Sequence, residues 1–172
     1  CALPISSDLV LLAAGNGVAQ QNYSKSEGLL QYVDPYIGSG YHGHVFVGTS
    51  VPYGMVQLGP TNIHKGWDWC SGYHYSDSIL IGFSHTHLSG TGCTDLCDIL
   101  IMPLNEIRTS RGNQDDIRDG YASRYSHANE IARPEYYSLL LDRYNIKAEL
   151  TATDRVGFHR YTYPEGKPAD RK

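Results

Sequence analysis

The clearest pattern of apolar and polar positions lies in the last third of the chain. Ile146-Lys147-Ala148-Glu149-Leu150-Thr151-Ala152-Thr153 alternates residue by residue, as a strand with one buried and one wet face requires. Tyr136-Tyr137-Ser138-Leu139-Leu140-Leu141 precedes it across a turn at Asp142-Arg143-Tyr144-Asn145. Val156-Gly157-Phe158-His159-Arg160-Tyr161-Thr162-Tyr163 follows, ended by Pro164, so the region predicts a three-strand meander. Ile79–His87 and Asp98–Leu104 are two further strand-like runs, rich in apolar and β-branched residues. A fourth, Val51–Pro60, is bounded by Gly and Pro. Residues 105–131 are polar and read as loop with one short turn of helix. No long stripe of 3.6-residue period occurs, so the expected fold is mostly β: an antiparallel β-sandwich.

Before the meander the signals are looser. Tyr32-Val33-Asp34-Pro35-Tyr36-Ile37-Gly38 opens the ordered domain, because Pro35 restricts Asp34 to extended conformations. Residues 20–30 are polar and read as a flexible lead-in. Cys1–Ser6 looks like translated adapter sequence. Leu9–Ala14 is too short to cross a bilayer but matches the end of a signal-peptide core, so export is expected, to the periplasm, the cell surface or the medium. A buried first strand is the alternative for that run. The expected division is therefore 1–31 as artefact, signal remnant and lead-in, and 32–172 as the sandwich. The chain lacks an initial Met and stops directly after a strand-like run, which reads as a piece of a longer protein whose sandwich is incomplete at its C-terminal end.

Composition narrows the function classes. At 172 residues there is room for one domain with a real core. The net charge of −4 and the scattered basic residues leave no footprint for nucleic acid. Fourteen Tyr and 18 Gly point to aromatic surfaces and tight turns rather than long helices. If Cys1 is set aside, Cys70, Cys93 and Cys97 allow at most one disulfide, Cys70–Cys93 or Cys70–Cys97, and the sequence does not choose. Asn22-Tyr23-Ser24 matches a glycosylation sequon.

Candidate chemistry concentrates between residues 66 and 92. Trp67 and Trp69, the only tryptophans, flank Asp68 and precede Cys70. Aromatic faces beside polar groups suit a sugar, whose ring has apolar C–H faces and hydroxyl edges. Core packing is the ordinary fate of Trp, but the flanks Lys65, Gly66, Ser71 and Gly72 argue for a loop, so at least one Trp is expected to face a ligand. If extended, Trp67 and Trp69 would share one face with Asp68 opposite.

The histidines raise a metal alternative. His42 and His44, like His85 and His87, are two apart, and such pairs share a face on a strand. No carboxylate partner stands at a recognisable spacing, and His42 and His44 sit in the Gly-rich Gly38–His44 loop. Structural or substrate-facing imidazoles are the preferred reading, and no metal ligand is assigned. That loop also fails as a phosphate loop, lacking the closing Lys-Ser/Thr and a following helix. Cys93-x-x-x-Cys97 falls short of a structural zinc site. Ser84 and Ser89 beside His85 and His87 lack the Gly-x-Ser-x-Gly elbow of a hydrolase triad.

Several segments in register resemble the N-terminal domain of glycoside hydrolase family 92 α-mannosidases. They are Tyr32–Gly38, Gly43-His44-Val45-Phe46-Val47-Gly48, Pro52–Leu58, Gly66-Trp67-Asp68-Trp69-Cys70-Ser71-Gly72-Tyr73 and Gly82–Gly90, continued by Ile146–Thr151 and Val156–Tyr161. The resemblance implies an exo-acting, calcium-dependent, inverting enzyme that removes α-linked mannose from glycans. It also implies a partner helical domain, beyond this chain, that carries the catalytic acid and base and the calcium ligands. An inverting pair stands roughly 6.5–9.5 Å apart with water between, and neither member is assigned to this chain. Trp67, Asp68, Trp69 and Cys70 would line the mannose subsite, and His85 and His87 would support that loop. Cys93 and Cys97 stand where the family more usually has small residues, so a clash or a disulfide is expected there. A free-standing carbohydrate-binding module, with the Trp loop as stacking platform, is the alternative.

Overall fold

The computed structural model describes residues 28–113 and 115–165. The adapter-like start, the Leu9–Ala14 run and the Asn22 sequon lie outside them. Of the described residues, 28–33 belong to one unit, in which Leu29–Tyr32 make a 3-10 turn; those from Asp34 onward belong to a second.

That second unit is an antiparallel β-sandwich. One sheet holds β1 (Gly59–Asn62), β2 (Ile79–Ser84) and β3 (Ser123–Arg124), in that order. The other holds β4 (Glu130–Arg133), β5 (Tyr136–Leu141), β6 (Ile146–Ala152) and β7 (Gly157–Thr162), a simple meander. The predicted meander is observed, and its alternation holds except at Glu149: Ile146, Ala148 and Leu150 are buried and Lys147 and Thr151 exposed, while Glu149 on the outer face is buried under Arg160 and Tyr136. Asn145 takes a left-handed φ of 50° to close the β5–β6 turn, a conformation Asn tolerates better than most residues. Ala148, Leu150, Tyr137, Leu139 and Leu141 meet Leu58 and, from the first sheet, Leu80 and Phe83 in one core. The Phe83 ring lies 6.4 Å from Tyr137 and 6.3 Å from Tyr161.

A bulge makes this core possible. The register slips between Thr61 and Asn62, which pair with Gly82 and Leu80, so Ile81 is the extra residue. Leu80 and Phe83, an odd number of positions apart, therefore both reach the shared core. Ile79 and Ile81 pack on a second cluster with Ile63 and Ala122.

Three expectations are corrected. Asp98–Leu104 is not a strand; only Ile101 bridges Phe83, because Leu96, Cys97 and Ile99 all adopt left-handed φ (72°, 62° and 54°) that bend the chain out of a ladder. Val51–Pro60 is not one strand either: residues 51–54 turn, with Tyr53 at φ 62°, and the ladder begins only at Gly59. The polar stretch 105–131 does hold a helical turn, at His127–Asn129, but also β3 and the start of β4, whose short segments carry little apolar alternation. Among the described residues no helix is long and apolar enough to cross a membrane.

Candidate functional site

The site is a short helical turn rather than an extended loop. Gly66, at φ 138°, reverses the chain into the 3-10 turn Trp67–Trp69, and Cys70 N–H and Gly72 N–H donate back to the carbonyls of Trp67 and Trp69. With about three residues per turn, successive side chains point about 120° apart, so residues i and i+2 diverge. Trp67 and Trp69 therefore do not share a face, contrary to the extended reading. Trp67 is 57 % exposed. Trp69 turns inward, donating from Nε1 to Asp77 Oδ2 at 2.8 Å, stacked on His74 at 4.3 Å and capped by the Lys65 ammonium.

Asp77, which the sequence reading passed over, anchors this side. Its buried carboxylate accepts from Lys65 Nζ, Trp69 Nε1 and the backbone N–H groups of Ser78 and Ile79. A buried charge is tolerated only with such a full set of donors.

Asp68 stands beside Trp67. His42 Nδ1 lies 2.5 Å and His44 Nε2 3.4 Å from Asp68 Oδ1. The His42 hydrogen bond holds the Asp68 carboxyl below the usual carboxylate range, despite some desolvation. The two imidazoles also flank the indole, with ring centres 5.4 and 4.3 Å from Trp67. The Gly90–Gly92 segment closes the edge: a Cβ on Gly92 would lie 3.0 Å from Trp67 Nε1. The carboxylate missing from the sequence reading of His42 and His44 is thus Asp68, 24 and 26 residues away. No local spacing could reveal it.

Cys70 faces inward. Its buried thiol donates to the Thr91 carbonyl at 2.8 Å, and burial pushes its pKa up, so it is not an activated nucleophile. Cys70, Cys93 and Cys97 are all free thiols. Of the four expected wall residues, the fold presents Trp67 and Asp68 and uses Trp69 and Cys70 to brace the turn.

His85 and His87 lie past the end of β2 and part company. His87 is buried, stacked on Phe46, with Nδ1 at 2.8 Å from the Gln57 carbonyl and Nε2 at 3.2 Å from Thr61 Oγ1. Burial lowers its pKa to about 4, so the ring is neutral. It touches the turn from below: a Cβ on Gly72 would meet His87 Cδ2 at 2.8 Å and Cys97 Sγ at 2.6 Å. The crowding expected at Cys97 is therefore real and is absorbed by a glycine at φ 84°. His85 bonds instead to the Ile99 carbonyl and to His159, and none of its hydrogen bonds reaches the Trp67–Cys70 turn. Ser84 is buried and hydrogen-bonded to Thr61 and the Cys97 carbonyl, which leaves no nucleophile there.

Tyr73 ties the turn to the second sheet. Buried Glu130 accepts from Tyr73 Oη at 3.2 Å, Tyr137 Oη at 2.7 Å and His127 Nδ1 at 2.5 Å. The site is rigid from beneath and open on its Trp67–Asp68 side.

Solved relatives share this architecture. The chain is 44 % identical to a family GH92 α-mannosidase from Bacteroides thetaiotaomicron, solved in complex with mannoimidazole, with a TM-score of 0.77 over 81 % of this chain and 18 % of that one. It is 27 % identical to a second GH92 family glycosyl hydrolase, with a TM-score of 0.67 over 81 % of this chain and 19 % of the other. An uncharacterized secreted glycosidase of Arthroderma benhamiae is 30 % identical over 141 residues, 79 % of this chain and 17 % of that protein. The chain thus spans less than a fifth of the length of these relatives. Residues 32–171 match the model of the glycosyl hydrolase family 92 N-terminal domain, and the chain belongs to that family.

Proposed function

We propose that this chain is the sugar-pocket-shaping part of an exported, exo-acting, inverting α-mannosidase that acts on mannose-containing glycans. The observation that carries this is the pairing of an exposed indole, Trp67, with a carboxylate, Asp68, on a turn braced from beneath. An indole face packs on the apolar face of a pyranose, and a fixed carboxylate accepts from its hydroxyls. The turn supplies one carboxylate, whereas inversion needs two. As the family resemblance implies, the acid and base are assigned to a helical domain outside this chain, which the solved α-mannosidase's greater length allows. Secretion of the Arthroderma relative supports export.

Calcium belongs to the same proposal, but not to this chain's residues. Calcium takes about six to eight oxygen ligands. The turn offers two imidazoles and one carboxylate, which do not fit it. Any calcium of the whole enzyme would be held elsewhere, and no step is derived through it.

The test is hydrolysis of an α-mannoside by the protein as its reading frame encodes it. Trp67→Ala is expected to lower kcat/KM about fivefold or more, since a lost aromatic platform is worth about 1 kcal/mol or more. The 172-residue piece alone should release no mannose. Full activity in Trp67→Ala, or turnover by the piece alone, would overturn the reading. Mannose binding in calorimetry with no release by the encoded protein would favour a binding module instead.

A further inference from the structure

We propose that His42, His44 and Asp68 form a binding site for a divalent first-row transition metal ion of the zinc type. Their ligand atoms all lie within 4.8 Å of one another, and among the described residues this is the one such grouping of three. The residue types match: neutral imidazole nitrogen suits zinc, nickel, cobalt and iron, and one carboxylate oxygen completes a two-His, one-carboxylate face.

The hydrogen bonding around His44 points to a cation. The Thr91 carbonyl can only accept, so His44 Nδ1 donates to it at 2.7 Å. In the neutral ring Nε2 then carries a lone pair, and that lone pair faces Asp68 Oδ1 at 3.4 Å. Two acceptors facing each other are bridged by a cation, either a bound metal ion or a proton on Nε2. The same carbonyl takes the Cys70 thiol, so the group that fixes the tautomer is itself held on both sides. A carbonyl that orients a histidine through its far nitrogen is the usual outer support of a metal-binding imidazole.

One of the separations fits a small ion as it stands, and a second can adjust to it. Donors at about 2.0–2.2 Å from zinc in a tetrahedral shell stand about 3.4 Å apart, the separation of His44 Nε2 from Asp68 Oδ1. His42 Nδ1, at 2.5 Å from the same oxygen, must retreat by about 1 Å to make room for the ion. It can, because its side chain is 73 % exposed and lies between Gly40 and Gly43. His44 is buried and cannot drift: Gly90 N–H holds its carbonyl at 2.8 Å. One fixed imidazole, one adjustable imidazole and a carboxylate leave coordination positions beside the Trp67 ring.

The inference does not depend on the sugar reading and is tested separately. The encoded protein is stripped with a chelator and titrated with Zn²⁺ by calorimetry at neutral pH, then with Co²⁺ followed by its visible d–d absorption. One equivalent per chain is expected, with a cobalt band in the visible. His42→Gln and Asp68→Asn should each weaken binding at least tenfold with an unchanged circular dichroism spectrum. His44→Gln should do the same; if it fails to fold, the exposed His42 variant still decides. Trp67→Ala should keep its metal, which separates this test from that of the sugar wall. No saturable zinc binding and no cobalt band in the unmodified protein would mean that a proton fills the gap, and the proposal falls. It falls equally if His42→Gln and Asp68→Asn bind as before, since the ion would then sit at the His85–His159 pair or on the free thiols.

Discussion

Replacing Gly72 with Ala tests whether the Trp67–Cys70 turn rests as closely on its support as the structure places it. Two costs add. At φ 84° an L side chain is strained, which is worth about 1–2 kcal/mol. The new Cβ would also meet Cys97 Sγ at 2.6 Å and His87 Cδ2 at 2.8 Å. Overlaps of that size in a packed interior cost about 1–3 kcal/mol. The turn cannot simply lift away, because the Gly72 carbonyl accepts from Asn62 N–H at 2.7 Å and Gly72 N–H donates to Trp69. The expected loss is about 2–5 kcal/mol, read by urea unfolding followed through tryptophan fluorescence. Cys97→Ala separates the two parts. It removes the nearest clashing atom but not the backbone strain, so Gly72→Ala should cost less in that background by about 1 kcal/mol. A Gly72→Ala loss below about 0.5 kcal/mol, or an equal loss in both backgrounds, would refute the packing argument.

Two further outcomes are expected. Buried Thr49 Oγ1 has no hydrogen-bond partner among the described residues, so Thr49→Val removes an uncompensated hydroxyl and should be neutral or stabilising by up to about 1 kcal/mol; a loss above about 1 kcal/mol in the same unfolding assay would mean the hydroxyl is satisfied. Stability should also fall with acid. Burial lowers His87 from 6.5 to about 4, so the neutral ring is favoured in the folded state and its contribution is whole above pH 6.5. As pH falls from 6.5 toward 4 the unfolded chain binds a proton that folded His87 does not, a loss of about 2 kcal/mol by pH 5. His159, also lowered to about 4 by burial and by neighbouring His85, adds a smaller share because it is half exposed. Glu149 plays no part in this window: burial pushes its carboxyl up, but Arg160 and Tyr136 outweigh that and hold it at about 2. Unfolding free energies at pH 7 and 5 for the parent and His87→Gln check this, and the same drop in both would sink it.

The β class, the β5–β7 meander and the stretch in which the site lies are all legible in the order of residues alone. Alternation is a local property: Ile146, Ala148 and Leu150 show their buried face without reference to any other segment. The tryptophan turn was legible for a similar reason, since two Trp between glycines have few structural roles. What only the tertiary structure decided was which of those residues are presented. Trp69 and Cys70 look as available as Trp67 in the chain, and they turn inward because Asp77 and the Thr91 carbonyl, 8 and 21 residues away, receive them. Asp68 gains two imidazoles from a loop more than 20 residues earlier for the same reason. His85 and His87, equivalent by spacing, separate because one meets β7 and the other fills the space under Gly72. Residues 98–104 read as a strand by composition, but the left-handed residues Leu96, Cys97 and Ile99 bend them away, and no apolar pattern records a backbone angle. Periodicity reports which face is buried; partners that are close in space and distant in sequence emerge only when the sheets close on one another.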